Sequence, residues 1–547
     1  MRQYSGAMAR VVRFLAIAMS LYHLLYIIDF FDLFGLMLYG AHRGMSLAFI
    51  LTLCFLVIPA TKKAPRDRLP WYDIVLIGFS LVPTLYYFYR YEDVVLFFSL
   101  PSDPQTVIGI MLLIASLEAS RRVIGWPITV IGGLFVLYPL YTQYLPGILF
   151  SDANSFQQVM GTLFFSYQGV FGVAMEIFAT VVAMFIIFGE AILVSGAGDF
   201  FLKLGLATMG RFRGGPAKAA VTGSAAFGTI SGIAVANVVT TGSITIPLMK
   251  RIGYKPHFAG AVEAVASTGG ALMPPVMGII AFIMAEVLEI RYWSIVVAAI
   301  FPAILYYIAV YMQVDFEAAK TGLRGLARSE IPSFWATLKE GWFFAIPVVV
   351  LVYVLAVMGY TPMKAGFFAL IALILVGFLR KWFFILPVVV LMLVVWFLGR
   401  DPLAWGTIAM VPIIAASFFI RDTKQVPARL TSALEGGAVG LARIGPAGAI
   451  VGIIMGGTSL TALGLRFSAG LVDLSGGNLF FLLLLAAAAC FLMGMAISLI
   501  VTYLVLAILV APALIDMGIL PLAAHLFLLY YATVGLITPP VCIAAYA

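Results

Sequence analysis

Between Gly223 and Glu289 the chain is apolar enough to lie in a membrane, yet Gly, Ser, Thr, Asn and a Pro-Pro pair interrupt it where an ordinary spanning helix would run through. A backbone broken at membrane depth exposes amides and carbonyls that hydrocarbon cannot satisfy. Such breaks occur where they are buried in protein or line a cavity, and they commonly mark binding sites. The remainder of the chain is expected to hold, duplicate or cover that site.

Composition agrees with a membrane solvent. Of 547 residues, 63% are hydrophobic and 10% charged, the mean hydropathy is +1.11, and apolar runs recur near spanning length. An all-α polytopic membrane protein is predicted. The net charge of +8 does not point to nucleic acid, because the basic residues fall in short loops between spans. Cys54, Cys490 and Cys542 lie in or beside apolar segments and are read as packing residues. The run 11–31 follows Arg10 and is too long for a signal core, so it is taken as a retained first span. The sequence has no phosphate-binding Gly-x-x-x-x-Gly-Lys-Ser/Thr loop, no His-Glu-x-x-His and no Cys-x-x-Cys, which argues against ATP hydrolysis, metal chemistry and enzymatic function in general. His23, His42, His257 and His525 are scattered and are expected at the membrane interface.

Spans are expected at 11–31, 44–60, 71–90, 105–120, 123–145 and 170–194. Arg2, Arg10, Arg13, Lys62, Lys63, Arg66, Arg68, Arg121 and Arg122 fix the inside ends, whereas Glu92, Asp93, Asp103 and Asp152 fall outside. The stretch from Gly196 to Lys218 reads equally as a half-helix arm or as an amphipathic interfacial helix. Residues 219–246 are punctured by Gly228, Ser231, Gly232 and Asn237 and are basic at both ends, as a re-entrant hairpin would be. Residues 256–290 are too many for one straight span and are divided by Gly269, Gly270, Pro274 and Pro275. Further spans are expected at 293–314, 342–360, 363–380, 382–399, 402–420 and 444–463, with an amphipathic stretch at 426–443.

An internal repeat gives the order of the whole. Residues 246–282 align with 511–547 without a gap, pairing Pro247 with Pro512, Gly253 with Gly518, Pro256 with Pro521, Thr268 with Thr533, Gly270 with Gly535, and Pro274 and Pro275 with Pro539 and Pro540. Basic residues flank the first hairpin, whereas Arg466, Asp473 and Asp516 flank the second, at 478–513, so the two repeats are predicted to be inverted. Inverted repeats with re-entrant hairpins and broken helices mark secondary transporters. The segments are 1–150 as an N-terminal scaffold, 151–290 as the first repeat, 291–425 as scaffold and connection, and 426–547 as the second repeat.

Candidate substrate and ion ligands follow from the breaks. The first set is Ser231, Gly232, Asn237, Thr268, Gly270, Pro274 and Pro275; the second is Gly494, Ser498, Thr502, Thr533, Gly535, Thr538, Pro539 and Pro540. Glu176, Glu190, Glu263 and Glu286 are acids inside spans, which are costly and often functional. Glu263 reads either as a proton site or as a hydrogen-bonded packing residue, and the repeat offset sets it against Leu528.

The strings Ile-Ser-Gly-Ile-Ala-Val-Ala-Asn-Val at 230–238 and Gly-Gly-Ala-Leu-Met-Pro-Pro-Val-Met-Gly at 269–278 resemble the large membrane component of tripartite ATP-independent periplasmic (TRAP) transporters, in particular the fused type served by a TAXI-class binding protein. The resemblance runs from about Ala153 to the C-terminus and assigns the first five spans to the small membrane subunit plus a connecting helix. It implies a monomeric multi-pass permease in a bacterial or archaeal cytoplasmic membrane, embedded in lipid. It implies cation-driven, elevator-type uptake of a small organic anion, commonly a carboxylate, delivered by an extracytoplasmic binding protein. It brings no cofactor. Sodium is the expected coupling ion, at Ser231, Asn237 and Gly270, and protons are the alternative. Two departures stand out: Ala271 replaces an expected Gln, and residues 494–503, GMAISLIVTY, lack the family's Pro-Thr pair. The sequence stops at Ala547 inside the second broken helix, so a continuation is expected. The rival readings are a binding-protein-independent anion carrier of similar build, a non-transporting membrane scaffold and, last, an intramembrane enzyme.

Inversion makes a topological prediction. Cysteines introduced by Gly214→Cys and Lys250→Cys should escape an impermeant thiol reagent on intact cells, whereas Ser475→Cys and Asp516→Cys should react. Equal labelling of the two sets would overturn the inversion.

Overall fold

The computed structural model describes residues 2–32, 40–96, 101–231, 234–378, 425–496, 498–538 and 543–546. The expected spans 382–399 and 402–420, together with Gly232, Pro539, Pro540 and Cys542, lie outside the described residues. Among the described residues there are helices and no strands, and six helices are long and apolar enough to cross a membrane, among them Gly6–Ile27, Trp71–Tyr89, Val173–Ser195 and Tyr292–Lys320. The chain is an all-α polytopic membrane protein.

Contacts divide it into two compact units: Met1–His23, Phe31–Ala183 and Ala438–Val541 form one, and Leu24–Phe30, Met184–Gly437 and Cys542–Ala547 the other. In the first unit, helix Asp103–Val123 starts on a capping box between Ser102 and Gln105 and ends on Arg121 and Arg122, charges that suit its C-terminal dipole. Arg122 also reaches a fully buried Asp73 on helix Trp71–Tyr89, 2.6 Å away, and Arg2 binds the same carboxylate. Arg2 further donates to the Phe55 carbonyl at 2.6 Å, and Arg122 to the Ile58 carbonyl at 3.1 Å. One acid thus ties the N-terminal tail to three helices, with its charge matched and its lone pairs satisfied, as a buried ion requires.

Three of the four histidines are not interfacial. The His23 ring nitrogens lie 2.8 Å from the Met19 carbonyl and 2.8 Å from Ser46 Oγ. His42 lies 2.9 Å from the Tyr22 hydroxyl and 3.1 Å from the Ala179 carbonyl, and His525 lies 2.8 Å from the Tyr503 hydroxyl. All three are buried, because each ring finds polar partners inside the protein, whereas His257 is exposed. Cys54 and Cys490 are buried packing residues.

In the second unit the first hairpin consists of a leading helix, Gly215–Ser231, and a returning helix, Ala234–Arg251. Half-helix Pro256–Gly269 packs against both, opened by a proline in its first turn, where a missing N–H costs nothing. After the turn Gly270–Leu272 the chain leaves helical geometry through a cis Pro274–Pro275 bond and positive φ at Met277 (59°) and Gly278 (72°), and resumes at Ile279–Val287. Helix Tyr292–Lys320 braces the break. Its Tyr292 hydroxyl lies 2.8 and 2.6 Å from the Pro275 and Val276 carbonyls, and Tyr306 donates to the Val265 carbonyl at 2.8 Å. At the hairpin base, Lys218 pairs with Asp315 at 2.6 Å and Arg251 with Glu330 at 2.8 Å.

The first unit holds a second hairpin of the same form, Leu479–Ala496 and Leu499–Leu509, followed by Ala511–Asp516 and half-helix Pro521–Gly535. Gly253 and Gly518, at the paired positions before the two half-helices, both take positive φ, 111° and 90°. The match extends to a backbone crossing. A Cβ on Gly228 would lie 2.7 Å from Gly270 Cα, and one on Gly535 would lie 2.6 Å from Gly494 Cα, so each leading helix meets the end of its half-helix with nothing between the backbones.

Close crossing makes Gly270→Ala an overpacking substitution, expected to cost about 1–3 kcal/mol. Gly260 lies on the same half-helix with open space around its Cα, so Gly260→Ala should contribute about 1 kcal/mol of helix propensity instead. Thermal unfolding of the purified protein should show opposite shifts for the two. A lowered midpoint in both would contradict the crossing.

Candidate functional site

The returning helix places Asn237, Thr241 and Thr245 four residues apart, on one face, and the half-helix does the same with Glu263 and Ser267. These faces meet. Glu263 is fully buried, and hydroxyl groups surround it: Ser224 Oγ of the leading helix lies 2.7 Å from Oε1, Ser267 Oγ 3.1 Å from Oε1 and Thr245 Oγ1 2.5 Å from Oε2, and Thr241 also bonds Oε1. Gly242 opens the space for the acid, since a Cβ there would sit 3.0 Å from Glu263 Cγ. Among the described residues no Lys, Arg or His forms an ion pair with it.

Asn237 is fully buried in the same network. Its amide nitrogen donates to the Ser224 carbonyl at 2.8 Å, and Thr241 Oγ1 lies 3.3 Å from its Oδ1. Toward the break, Thr229 Oγ1 lies 2.6 Å from the Met273 carbonyl and 2.7 Å from that of Pro274, so the hairpin covers the unwound segment with a hydroxyl. Gly270 lies at the glycine crossing, and Ser231 ends the leading helix. Thr268 spends its hydroxyl on the Ala264 carbonyl one turn back, at 2.8 Å. The structure therefore gathers Asn237, Gly270, Pro274 and Glu263 around one hairpin and adds Ser224, Thr229, Thr241, Thr245 and Ser267. For Thr241 and Thr245 the signal was their four-residue spacing from Asn237 along the returning helix; Ser224, Thr229 and Ser267 come from the other two helices.

The second hairpin is poorer in polar groups. Ser498 is extended at the start of helix Leu499–Leu509, and its buried hydroxyl has no hydrogen-bond partner among the described residues. Thr502 Oγ1 reaches back to the Met493 carbonyl at 3.5 Å across the hairpin. Thr533 and Thr538 bond the carbonyls of Leu529 and Val534 within their own turns, at 2.7 and 2.9 Å. Gly494 and Gly535 form the crossing, and Leu528 is buried at the position paired with Glu263.

Of the other acids in spans, Glu176 pairs with Arg43 at 2.6 Å, and Glu286 is exposed. A cavity of about 560 Å³ in the first unit is lined by Tyr167, Gln168, Thr458 and Ser459 together with apolar side chains, and none of its described lining residues is charged.

Sequence comparison gives this arrangement its family. Residues 110–547 match the model described as the tripartite ATP-independent periplasmic transporter, DctM component. A C4-dicarboxylate TRAP transporter large permease protein of Vibrio cholerae is 31% identical over 192 residues, 34% of this chain and 41% of that protein. A putative TRAP transporter large permease protein of Haemophilus influenzae is 22% identical over 365 residues, 66% of this chain and 74% of the relative. An isethionate TRAP transporter permease protein of Oleidesulfovibrio alaskensis is 27% identical over 240 residues, 42% of this chain and 34% of the relative. In the C4-dicarboxylate permeases of Vibrio cholerae and Pseudomonas aeruginosa the match spans less than half their length, 41% and 49%. With the family model covering most of its length, this chain belongs to the large membrane components of the tripartite ATP-independent periplasmic transporters.

Proposed function

We propose that the chain is the membrane permease of a binding-protein-dependent secondary transporter that imports a small organic anion, a carboxylate by preference, with a cation gradient as the driving force. The observation that carries this reading is the pair of matched hairpins, each crossed glycine-on-glycine with a half-helix; the first surrounds its break with hydroxyl, amide and carbonyl oxygens. Oxygen groups of this kind suit a hard cation. Sodium would be taken at the first tip by Ser231, Asn237 and Gly270, and a proton gradient is the alternative driver. Relatives named for C4-dicarboxylate and isethionate transport support an anionic substrate.

The partner would be an extracytoplasmic binding protein of the TAXI type. The N-terminal helices would serve as the small membrane subunit fused to the large one. In an elevator cycle, hairpins and broken helices would move against the remaining helices in a bacterial or archaeal inner membrane, and the permease would act as a monomer.

The test is uptake of labelled carboxylates into proteoliposomes containing the permease and its binding protein, driven separately by inward sodium and inward proton gradients. Accumulation should require one of them. Accumulation with neither, or none with both, would overturn the proposal. In the same assay Asn237→Ala and Ser231→Ala should lower uptake at least ~10-fold, the scale of one lost hydrogen-bonding ligand at a buried polar site, without loss of folded protein from the membrane. Normal uptake by both variants would remove these residues from the site.

A further inference from the structure

Among the described residues Glu263 has no charged partner, and hydroxyl groups of three helices enclose it. Thr245 Oγ1 and Ser224 Oγ, the latter 2.7 Å away, are hydrogen-bonded to the carboxylate.

Among the described residues, the neighbouring elements bring no ionised group to the acid. On helix Tyr292–Lys320, Tyr306 and Tyr307 direct their hydroxyls to the Val265 and Ala266 carbonyls, and Asp315 pairs with Lys218 of the leading helix. Lys250 and Arg251 sit at the far end of the returning helix, where Arg251 pairs with Glu330. His257, on the acid's own half-helix, is exposed, and the short helix Ile543–Tyr546, which also touches the half-helix, has no Lys, Arg, His, Asp or Glu.

The hydroxyls have alternatives to the carboxylate. Thr241 Oγ1 lies 2.8 Å from the Asn237 carbonyl, Thr245 Oγ1 lies 3.0 Å from the Thr241 carbonyl, and Ser224 and Thr241 lie 3.0 Å apart. Facing an ionised carboxylate, which only accepts, they turn their protons to Glu263. Facing a neutral carboxyl group, the threonines turn to those carbonyls, and the acid donates its own proton to a hydroxyl oxygen. Neither state leaves a buried polar group unpaired, so the hydrogen-bond network accommodates the acid with or without its proton.

We propose that Glu263 is a proton-binding site of the transport cycle, with Thr241 and Asn237 carrying its state toward the tip of the first hairpin. The proposal rests on the reading of the chain as a cation-coupled permease. It deepens that reading by naming a proton-carrying group and the bonds its proton would rewire between the returning helix and the half-helix. The second repeat has a buried Leu528 at the paired position, so among the described residues this acid has no counterpart there.

Infrared difference spectra of the purified full-length permease, stepped through pH without substrate, test the site directly. The wild type should show a reversible C=O stretching band from a buried carboxyl group that is missing in Glu263→Gln and retained with a displaced midpoint in Thr245→Val. Identical spectra for wild type and Glu263→Gln overturn the proposal; should Glu263→Gln fail to fold, an unmoved midpoint in Thr245→Val overturns it. In proteoliposomes, Glu263→Gln should lose proton-dependent accumulation. Accumulation indifferent to this substitution removes Glu263 from the cycle. A Glu263 band in a wild-type protein that transports under neither gradient overturns the transport reading and not the proton site.

Discussion

The structure of the repeats depends on two backbones in contact. A helix that unwinds inside a membrane must have its freed carbonyls covered, and any side chain at the crossing would hold the covering element away. Gly228 against Gly270, and Gly494 against Gly535, remove that obstacle. Once the hairpin lies close, Thr229 can reach the Met273 and Pro274 carbonyls and Tyr292 those of Pro275 and Val276 from another helix. Small residues at helix crossings serve ordinary membrane packing as well. Here the same closeness permits a break.

The two repeats share this crossing and differ in polarity. Around the first half-helix the interior contains an acid, an amide and several hydroxyls, drawn from leading helix, returning helix and half-helix together. Around the second, a buried contact between Tyr503 and His525 joins returning helix and half-helix, and Leu528 fills the place of the acid. Shape is conserved between the halves, and chemistry is concentrated in one of them. A duplicated scaffold can afford that division, because a crossing of glycines needs no particular side chain nearby.

Much of this was legible in the residues. Gly269, Gly270, Pro274 and Pro275 mark the break because glycine and proline act on their own backbone, whatever surrounds them. The 265-residue offset predicted a second copy, and the positive φ of both Gly253 and Gly518 shows it in the backbone. Partners were harder to read. Glu263 stood out as an acid in an apolar run, yet its hydroxyl ring comes from three helices as much as 43 positions apart in sequence (267 − 224 = 43). His23 and His42 were expected at the interface because a sequence does not show that Ser46, Tyr22 and the Ala179 carbonyl lie beside them. Composition tells which groups need a partner, and only the packing tells where the partner is.

The buried Asp73 has a consequence for how the chain is made. Its two cationic partners are Arg2 and Arg122, 120 positions apart (122 − 2 = 120). At about 5–20 residues per second, roughly 6–24 s separate the two in synthesis. Arg2, the Phe55 carbonyl and Asp73 can meet before Arg122 is made, so helix Asp103–Val123 is the element that completes the charge around the acid.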